Sequence, residues 1–204
     1  MRHMKNTTPK IHKLAVPSLL LISLLLIGSV PGLAREKDET IDATAFGTST
    51  QMGQNFSVTV IIYEYSTPAD RQTLVEAFTK GQNQGLVNAL TKMKAVGRIS
   101  ITGTLGYDLS FIRLIPTPTG RKIRFITNRQ IRFGEAFFDT QSQYNNLTAG
   151  ELDLNDTDKS KSTGTLYPAA QLVINKEGDL QFELNQNAWR LVNLIDWKGT
   201  QGVN

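Results

Sequence analysis

The side chains that most often carry catalysis in proteins are almost absent from this chain. It contains no cysteine, and its two histidines, His3 and His12, lie within the first twelve residues. The rest of the chain therefore has no Ser–His–Asp triad, no Cys–His pair and no ordinary zinc or copper site. Acid–base chemistry would fall to carboxylates, lysines or tyrosines. These absences predict a protein that acts without catalysis, with no catalytic residue, metal or other cofactor.

One catalytic chemistry stays open on the remaining residues. A pair of carboxylates can hydrolyse a glycosidic bond, and the candidate acids are Glu64, Glu135 and Asp139. Nothing in the sequence brings any two of them together. A carboxylate-dependent hydrolase is therefore an alternative, and the plainer interpretation is that these acids pair with arginines or face water.

Basic residues concentrate between positions 113 and 132. The candidate binding residues are Arg113, Lys122, Arg124, Arg129 and Arg132, with Arg121 in the same stretch. On antiparallel strands they could form a cationic face for an anionic surface or ligand. The alternative is a solvated outer face whose charges are balanced by acids, namely Glu64, Glu135, Glu151 and Asp153. Nearby aromatic residues alternate with the charges, which favours core packing over base stacking, so we expect no nucleic-acid partner.

The acidic segment 153–158 resembles the start of a calcium loop. Such a loop requires glycine at its sixth position and glutamate at its twelfth. Here Asp158 and Gly164 occupy those positions. We therefore predict a hydrated loop and no metal site, and calcium bound through other oxygens is the alternative. The chain also lacks a glycine-rich phosphate loop and a dinucleotide motif.

The N-terminal residues predict export. Four basic residues precede an apolar run from Leu14 to Val30, and the small residues Gly32 and Ala34 follow it. This is the pattern of a signal peptide, which we assign to residues 1–34. An uncleaved anchor is the alternative, since about 17 apolar residues is the short limit for a membrane span. We expect a secreted or periplasmic protein without a span after cleavage. A bacterial source is favoured, because small secreted eukaryotic domains usually depend on disulfides.

The excess of positive charge belongs to the same N-terminal segment. Four of the 22 basic residues and none of the 18 acidic residues lie in residues 1–34, which leaves 18 of each in the remainder. The basic isoelectric point therefore does not indicate binding to nucleic acid or to anionic membranes.

The elements that must position these residues begin after a lead-in. Residues 35–54 show no periodicity and are expected to be flexible, residues 55–198 to form one domain, and 199–204 to be a tail. The segment 56–65 is the strongest strand signal and is apolar on both faces, as in a central strand. Thr67 and Asp70 then predict a capped helix start, although the capping-box position prefers glutamate or glutamine, with Pro68 in its first turn.

The fold class follows from the order of the elements. Apolar residues at helical spacing on both sides of Gly81 predict a helical hairpin, or one long helix broken there. From Arg98 onward six or seven strands follow with short connections, which indicates antiparallel pairing. In residues 121–127, Ile123 and Phe125 share one face and Lys122 and Arg124 the other. We therefore predict an α+β fold, a curved antiparallel sheet of about seven or eight strands packed on an N-terminal helical hairpin.

Four segments in the C-terminal half carry a resemblance to a known group. They are residues 127–133, 152–154, 164–170 and 189–191. They resemble segments of uncharacterised secreted proteins of unknown function from soil bacteria such as acidobacteria, over residues 97–195. The resemblance implies an exported location, and it brings no activity and no functional residues.

Together these observations predict an exported, non-catalytic binding or interaction module of the bacterial cell envelope. Its partner would be an unknown protein or small molecule. Two alternatives remain: a binder of a small apolar ligand in a cavity between sheet and helices, and the carboxylate-dependent hydrolase.

Overall fold

The structure is a computed structural model, and it describes residues 38–49, 52–127, 129, 147–170, 172–176, 180–182 and 188–198. Every described residue belongs to one compact unit, Lys37–Asn204. The predicted signal peptide and the predicted tail lie outside the described residues, as do Arg132, Glu135 and Asp139.

Eight strands form a closed, antiparallel β-barrel. They are β1 Glu39–Phe46, β2 Asn55–Ile62, β3 Gly97–Ile101, β4 Tyr107–Thr117, β5 Gly120–Thr127, β6 Leu147–Asn155, β7 Thr163–Ala170 and β10 Trp189–Asp196. Each strand pairs with the next in this order, and β10 pairs with β1. Helix α1, Pro68–Lys92, connects β2 to β3. A separate hairpin of β8 Leu172–Ile174 and β9 Leu180–Phe182 lies between β7 and β10 in the chain.

The predicted α+β architecture is wrong. The sheet closes on itself instead of curving over a helical hairpin, and α1 is the single α-helix of the described residues. The helix is broken at Gln82, whose φ is 50°, one residue after the expected position. Without β1, both β2 and β10 would be edge strands of an open sheet, so failing to predict β1 led directly to the wrong fold class.

Strand β1 lies in the segment that was expected to be a flexible lead-in. Its burial alternates, with Glu39, Ile41, Ala43 and Ala45 buried and the residues between them partly exposed. It pairs with β2 along its whole length and with β10 on its other side. Because side chains alternate between the faces of a strand, the short inward residues leave room for larger side chains from the facing strands.

Apolar side chains fill the barrel interior. Phe125 and Trp189 are among the largest fully buried residues. Phe125 also covers Gly150 on the neighbouring strand, where an added Cβ would lie 2.2 Å from the Phe125 ring. An eight-stranded barrel can hold either packed side chains or one small ligand. In this barrel the described interior is filled with packed side chains.

Thr67 and Asp70 begin helix α1 as the sequence predicts. The Asp70 backbone N–H donates to the Thr67 hydroxyl at 3.2 Å, and the Thr67 backbone N–H donates to the Asp70 carboxylate at 2.7 Å. This reciprocal pair is a capping box, and Pro68 lies in the first turn. The predicted helix start is therefore confirmed.

A second apolar cluster packs α1 against the outside of the barrel. Leu74, Phe78, Leu86 and Leu90 of the helix belong to the same cluster as residues of β4 to β8. A bulge at Ser110 makes this contact possible, because Leu109 pairs with Thr127 whereas Phe111 pairs with Ile126. After the bulge, Phe111 and Ile126 face outward under the helix, and the next pair, Ile112 and Phe125, faces the interior.

Candidate functional site

The structure places the predicted basic residues in different settings. Lys122 and Arg124 lie on the outer face of β5, and Arg113 lies on β4 directly opposite Arg124. Arg129 follows the end of β5, with its guanidinium 5.1 Å from the centre of the Tyr107 ring. Arg121 is drawn into the end of the barrel, as described below, and Arg132 is outside the described residues. The cationic stretch is therefore divided among separate locations.

Acidic residues of β6 pair with two of these cations. Glu151 binds Lys122 at 2.8 Å and Arg124 at 2.5 Å, and Asp153 lies 3.7 Å from Lys122. Burial raises the pKa of Glu151, but its hydrogen bonds with Lys122 and Arg124 outweigh burial and hold that pKa below its usual range. The acids Glu151 and Asp153 thus balance Lys122 and Arg124, as the charge-balance alternative expected.

Arg113 has a different environment. Among the described residues no carboxylate lies within ion-pair distance of it. Burial lowers the pKa of the Arg113 guanidinium, and the nearby charges of Arg71 and Arg124 lower it further. Like charges directly opposite each other on neighbouring strands destabilise a sheet. This arrangement therefore opposes folding rather than supporting it.

A cleft between α1 and the outer wall brings the three arginines together. Arg71, Arg113 and Arg124 form its polar lining, and its floor is apolar and consists of Leu74, Phe111, Ile126 and Leu172. We call it the arginine cleft. It is open to solvent, and the space between its walls is about 430 Å³ when the open solvent at its mouth is included.

Ser66 fixes the start of α1 beside this cleft. Its backbone N–H donates to the Ile112 carbonyl at 2.8 Å, and the Ile112 N–H donates to the Ser66 hydroxyl at 3.0 Å. Ile112 directly follows the bulged region of β4. The bulge therefore orients Phe111 and also helps to anchor the helix turn that carries Arg71 and Leu74.

The side chains of the cleft offer donors that suit an anion. Arginine presents its N–H donors in a planar fork that matches a carboxylate or a phosphate. The described lining holds arginines and apolar residues, and none of them is a nucleophile or a base near neutral pH. The arrangement can thus attract and orient an oxyanion beside an apolar surface.

A second cleft contains the one hydrolase candidate that the structure describes. Glu64 and Asp70 both line this cleft at the start of α1. However, Glu64 accepts a hydrogen bond from Lys94 at 2.7 Å, and Asp70 forms the capping box with Thr67. Both carboxylates are therefore already engaged in structural contacts, which gives the two-carboxylate alternative no support.

The sequence did not predict a charged network at one end of the barrel. Arg121 donates to Glu39 at 2.6 Å and to Asp196 at 2.5 Å. The Tyr65 hydroxyl donates to Glu39 at 2.9 Å, and the Lys198 ammonium lies 3.5 Å from the same carboxylate. The available signal was strand alternation, which puts Arg121 in phase with Ile123 and Phe125. The charges compensate each other, so the network links β1, β5 and β10 rather than forming an open site.

The acidic segment 153–158 forms a self-contained turn. The Asn155 side-chain oxygen accepts from the N–H groups of Thr157 and Asp158. Asp158 in turn caps the short 3-10 turn Lys159–Lys161 through the Ser160 N–H. Within the described residues, no three acidic, histidine or cysteine side chains are grouped so that they could hold a metal ion.

Comparison with known proteins gave no match: no family model, no curated protein and no solved structure is similar to this chain. The resemblance of residues 97–195 to uncharacterised secreted proteins stays a prediction. In the part of the chain that the structure describes, no helix has the length and apolar character needed to cross a membrane. The geometry of the arginine cleft is therefore the main evidence on function.

Proposed function

We propose that this protein is an exported, non-catalytic binding module of the bacterial cell envelope that holds a small ligand in the arginine cleft. A β-barrel is compatible with a binding role. The observation that carries the proposal is the grouping of Arg71, Arg113 and Arg124 over an apolar floor.

Because the barrel interior is packed, we place the ligand site on the outer wall. Phe125 and Trp189 occupy the interior, where many small barrels bind their ligands. The small-ligand alternative expected a cavity between sheet and helix, and the arginine cleft occupies that position. Its three cations change the expected ligand from a purely apolar molecule to one that carries negative charge.

The placement of Arg113 supports a binding role on energetic grounds. A like-charge pair directly opposite on two strands costs stability, on the order of 0.2–1 kcal/mol. A bound anion would remove this cost, because it would lie between Arg113 and Arg124. Binding sites commonly contain such locally unfavourable electrostatics, which their ligands compensate.

The location in the cell envelope is supported by the sequence. The basic N-terminal residues, the apolar run and the small residues before Arg35 make up a signal peptide pattern. The absence of cysteine from the chain fits bacterial export. Catalysis is not part of the proposal, because the described residues that line the cleft offer no acid, base or nucleophile near neutral pH.

Mass spectrometry of the protein from the exported fraction tests both parts of the proposal. Under denaturing conditions we expect the mass of residues 35–204. Under native conditions we expect a mass that is greater by a small, fixed amount, which is the bound ligand. Arg113→Gln should lose this added mass. Arg98→Gln should retain it, because Arg98 pairs with Asp108 at 3.4 Å on a different part of the barrel.

The contrary results are specific. A full-length denatured mass would show that the N-terminal segment is retained as an anchor. A native mass equal to the denatured mass, or to a whole multiple of it, would argue against a bound small ligand. An added mass that persists in Arg113→Gln would place the ligand outside the arginine cleft.

A further inference from the structure

We infer that the ligand of the arginine cleft is an amphiphilic oxyanion, with one carboxylate or phosphate head between Arg113 and Arg124 and a short apolar chain on the cleft floor. This inference rests on the proposed function and specifies its ligand class.

The head position follows from the donors at the rim. Arg124 contacts Glu151 through its Nε atom, and no described residue accepts a hydrogen bond from its two terminal nitrogens. Arg113, directly opposite, has no described carboxylate within ion-pair distance. Two guanidinium groups with available donors thus face each other across one pair of strands. A single oxyanion between them would accept charge-assisted hydrogen bonds from both sides.

The local charge favours an anion even when the neighbouring acids are counted. Among the described residues of β4, β5 and β6, the outer face beside the cleft carries three cations, Arg113, Lys122 and Arg124, and two anions, Glu151 and Asp153. Glu151 already binds both Lys122 and Arg124. Among these described cations, Arg113 is the one without a carboxylate at ion-pair distance, so the excess of positive charge lies at Arg113.

The tail position follows from the register of β4 and β5. The pair Arg113 and Arg124 is preceded on the same outer face by the pair Phe111 and Ile126. Because side chains on one face recur every second residue, the cationic pair and the apolar pair lie roughly 7 Å apart. Leu74 of α1 completes the apolar side. A molecule with a charged head and a short apolar chain could contact the cationic pair and the adjacent apolar surface at the same time.

The compactness of the site distinguishes this ligand from a polyanion. Proteins that bind nucleic acids spread many cations along a surface, because each one neutralises a separate phosphate. Here three arginines meet at one place, and the chain beyond residue 34 has equal numbers of acidic and basic residues. This compact grouping of arginines suits one small anion.

Titration calorimetry with defined probes tests the inference on the exported protein. Octanoate carries both features, acetate and inorganic phosphate carry only the charge, and 1-octanol carries only the chain. We expect octanoate to bind at least tenfold more tightly than each of the others. Hexanoate should bind more weakly than octanoate, by up to about fourfold for each methylene lost from the floor.

Two variants assign the binding to the cleft. Arg113→Gln should weaken octanoate binding about tenfold, the size expected for one lost charge-assisted hydrogen bond. Its melting temperature should not fall, because the variant also relieves repulsion between Arg113 and Arg124. Arg98→Gln should leave the affinity within twofold of the wild type. The probe series on the wild-type protein is decisive even if a variant fails to fold.

The failures can be told apart. Equal binding of acetate or phosphate and octanoate would overturn the apolar part of the ligand, and equal binding of 1-octanol would overturn the anionic head. If octanoate does not bind, but the exported protein carries a mass that Arg113→Gln abolishes, the ligand class is wrong and the proposed function stands. If octanoate does not bind and the exported protein carries no added mass, the inferred ligand class and the proposed function both fail.

Discussion

Charged side chains meet in two contrasting ways on this barrel. Inside one end, Glu39 is buried against Arg121, and opposite charges lie within hydrogen-bonding distance. On the outer wall, Arg113 and Arg124 share one position of the ladder, and like charges face each other. A compensated buried pair maintains the geometry around it, because losing either member would leave an unpaired charge. Arg124 is paired with Glu151, but Arg113 has no described carboxylate at ion-pair distance and therefore leaves an attraction for a counter-ion.

The contact between Tyr65 and Glu39 predicts that the protein becomes less stable at alkaline pH. Burial and the neighbouring Glu39 raise the pKa of Tyr65 well above its ordinary value, which is about 10. As the pH rises past 10, the Tyr65 hydroxyl loses its proton in the unfolded chain before it does so in the folded protein. The stabilisation is fully present below pH 10 and should decline above it by at most roughly 1.4 kcal/mol per pH unit, and by less where solvent screens the partly exposed side chain. Urea unfolding at pH 9 and pH 11 measures the decline, and Tyr65→Phe should reduce it.

Tyr167 provides the control for this measurement. Burial also raises the pKa of Tyr167, but it lies on β7 and not in the Glu39 network. Tyr167→Phe should therefore retain the part of the alkaline decline that comes from Tyr65. An unchanged decline in Tyr65→Phe would mean that its hydroxyl is not held as the structure shows.

At the scale of elements, helix α1 positions the arginine cleft. Its early turns carry Arg71 and Leu74, and both line the cleft. The capping box of Thr67 and Asp70 holds the first turn, and Ser66 ties it to β4. The conformation of this short stretch therefore decides where one cation and part of the apolar floor lie.

Removal of the cap should weaken the whole fold measurably. Thr67→Ala leaves the Asp70 backbone N–H without its side-chain acceptor, and we expect the free energy of unfolding to fall by about 1 kcal/mol. Thr79→Ala is the matched control. Thr79 lies inside the helix, where its hydroxyl bonds only to the Val75 carbonyl. Alanine is the better helix former there, so stability should be unchanged or slightly higher. Equal losses in both variants would contradict a specific role of the cap.

The sequence was sufficient for elements with a strong local pattern. The alternation of Ile123 and Phe125 with Lys122 and Arg124 is confirmed in β5, and so is the start of α1. Strand β1 escaped prediction because its inward positions hold Glu39, Ala43 and Ala45, which are not the large apolar residues that mark a strand. Its stability comes from pairing with β2 and β10, which local sequence does not reveal.

Strand β7 has a weak local strand signal for a related reason. It contains Gly164 and Pro168, which usually indicate a turn. The proline is tolerated because β10 pairs with β7 only over Gly164–Leu166, and the β6 pairing is irregular beside Pro168.

The arginine cleft could not be predicted from local sequence either, since Arg71 and Arg113 are brought together only by packing between distant segments. The composition identified Arg113 and Arg124, but their register depends on the bulge at Ser110.

At the scale of the whole molecule, closure of the barrel removes the exposed edges of the sheet. Every barrel strand has a hydrogen-bonded neighbour on both sides, including β1. Closed barrels thereby avoid pairing with other chains through unpaired backbone groups. The network of Glu39, Arg121 and Asp196 adds side-chain contacts across this closure, because it links β1 and β10 to β5.

Hydrogen exchange measures this closure directly. We expect amides in residues 39–46 to exchange as slowly as those of β2, because β1 is paired on both sides. The turn at residues 103–106 is the internal reference and should exchange quickly. If residues 39–46 exchange as fast as that turn, the segment is the flexible lead-in that its sequence suggested, and the barrel is open.

The pairing of the first barrel strand with the last also sets the order in which this protein can fold. A growing chain makes β1 early, but β1 lacks one of its two neighbours until β10 has been synthesised. Contacts between such distant residues form slowly, because a long loop must close first. The nascent chain would thus keep an incomplete, easily unfolded sheet until its final strand arrives. Such a delay would suit the export that we propose for this chain, because an exported polypeptide crosses the membrane before it folds.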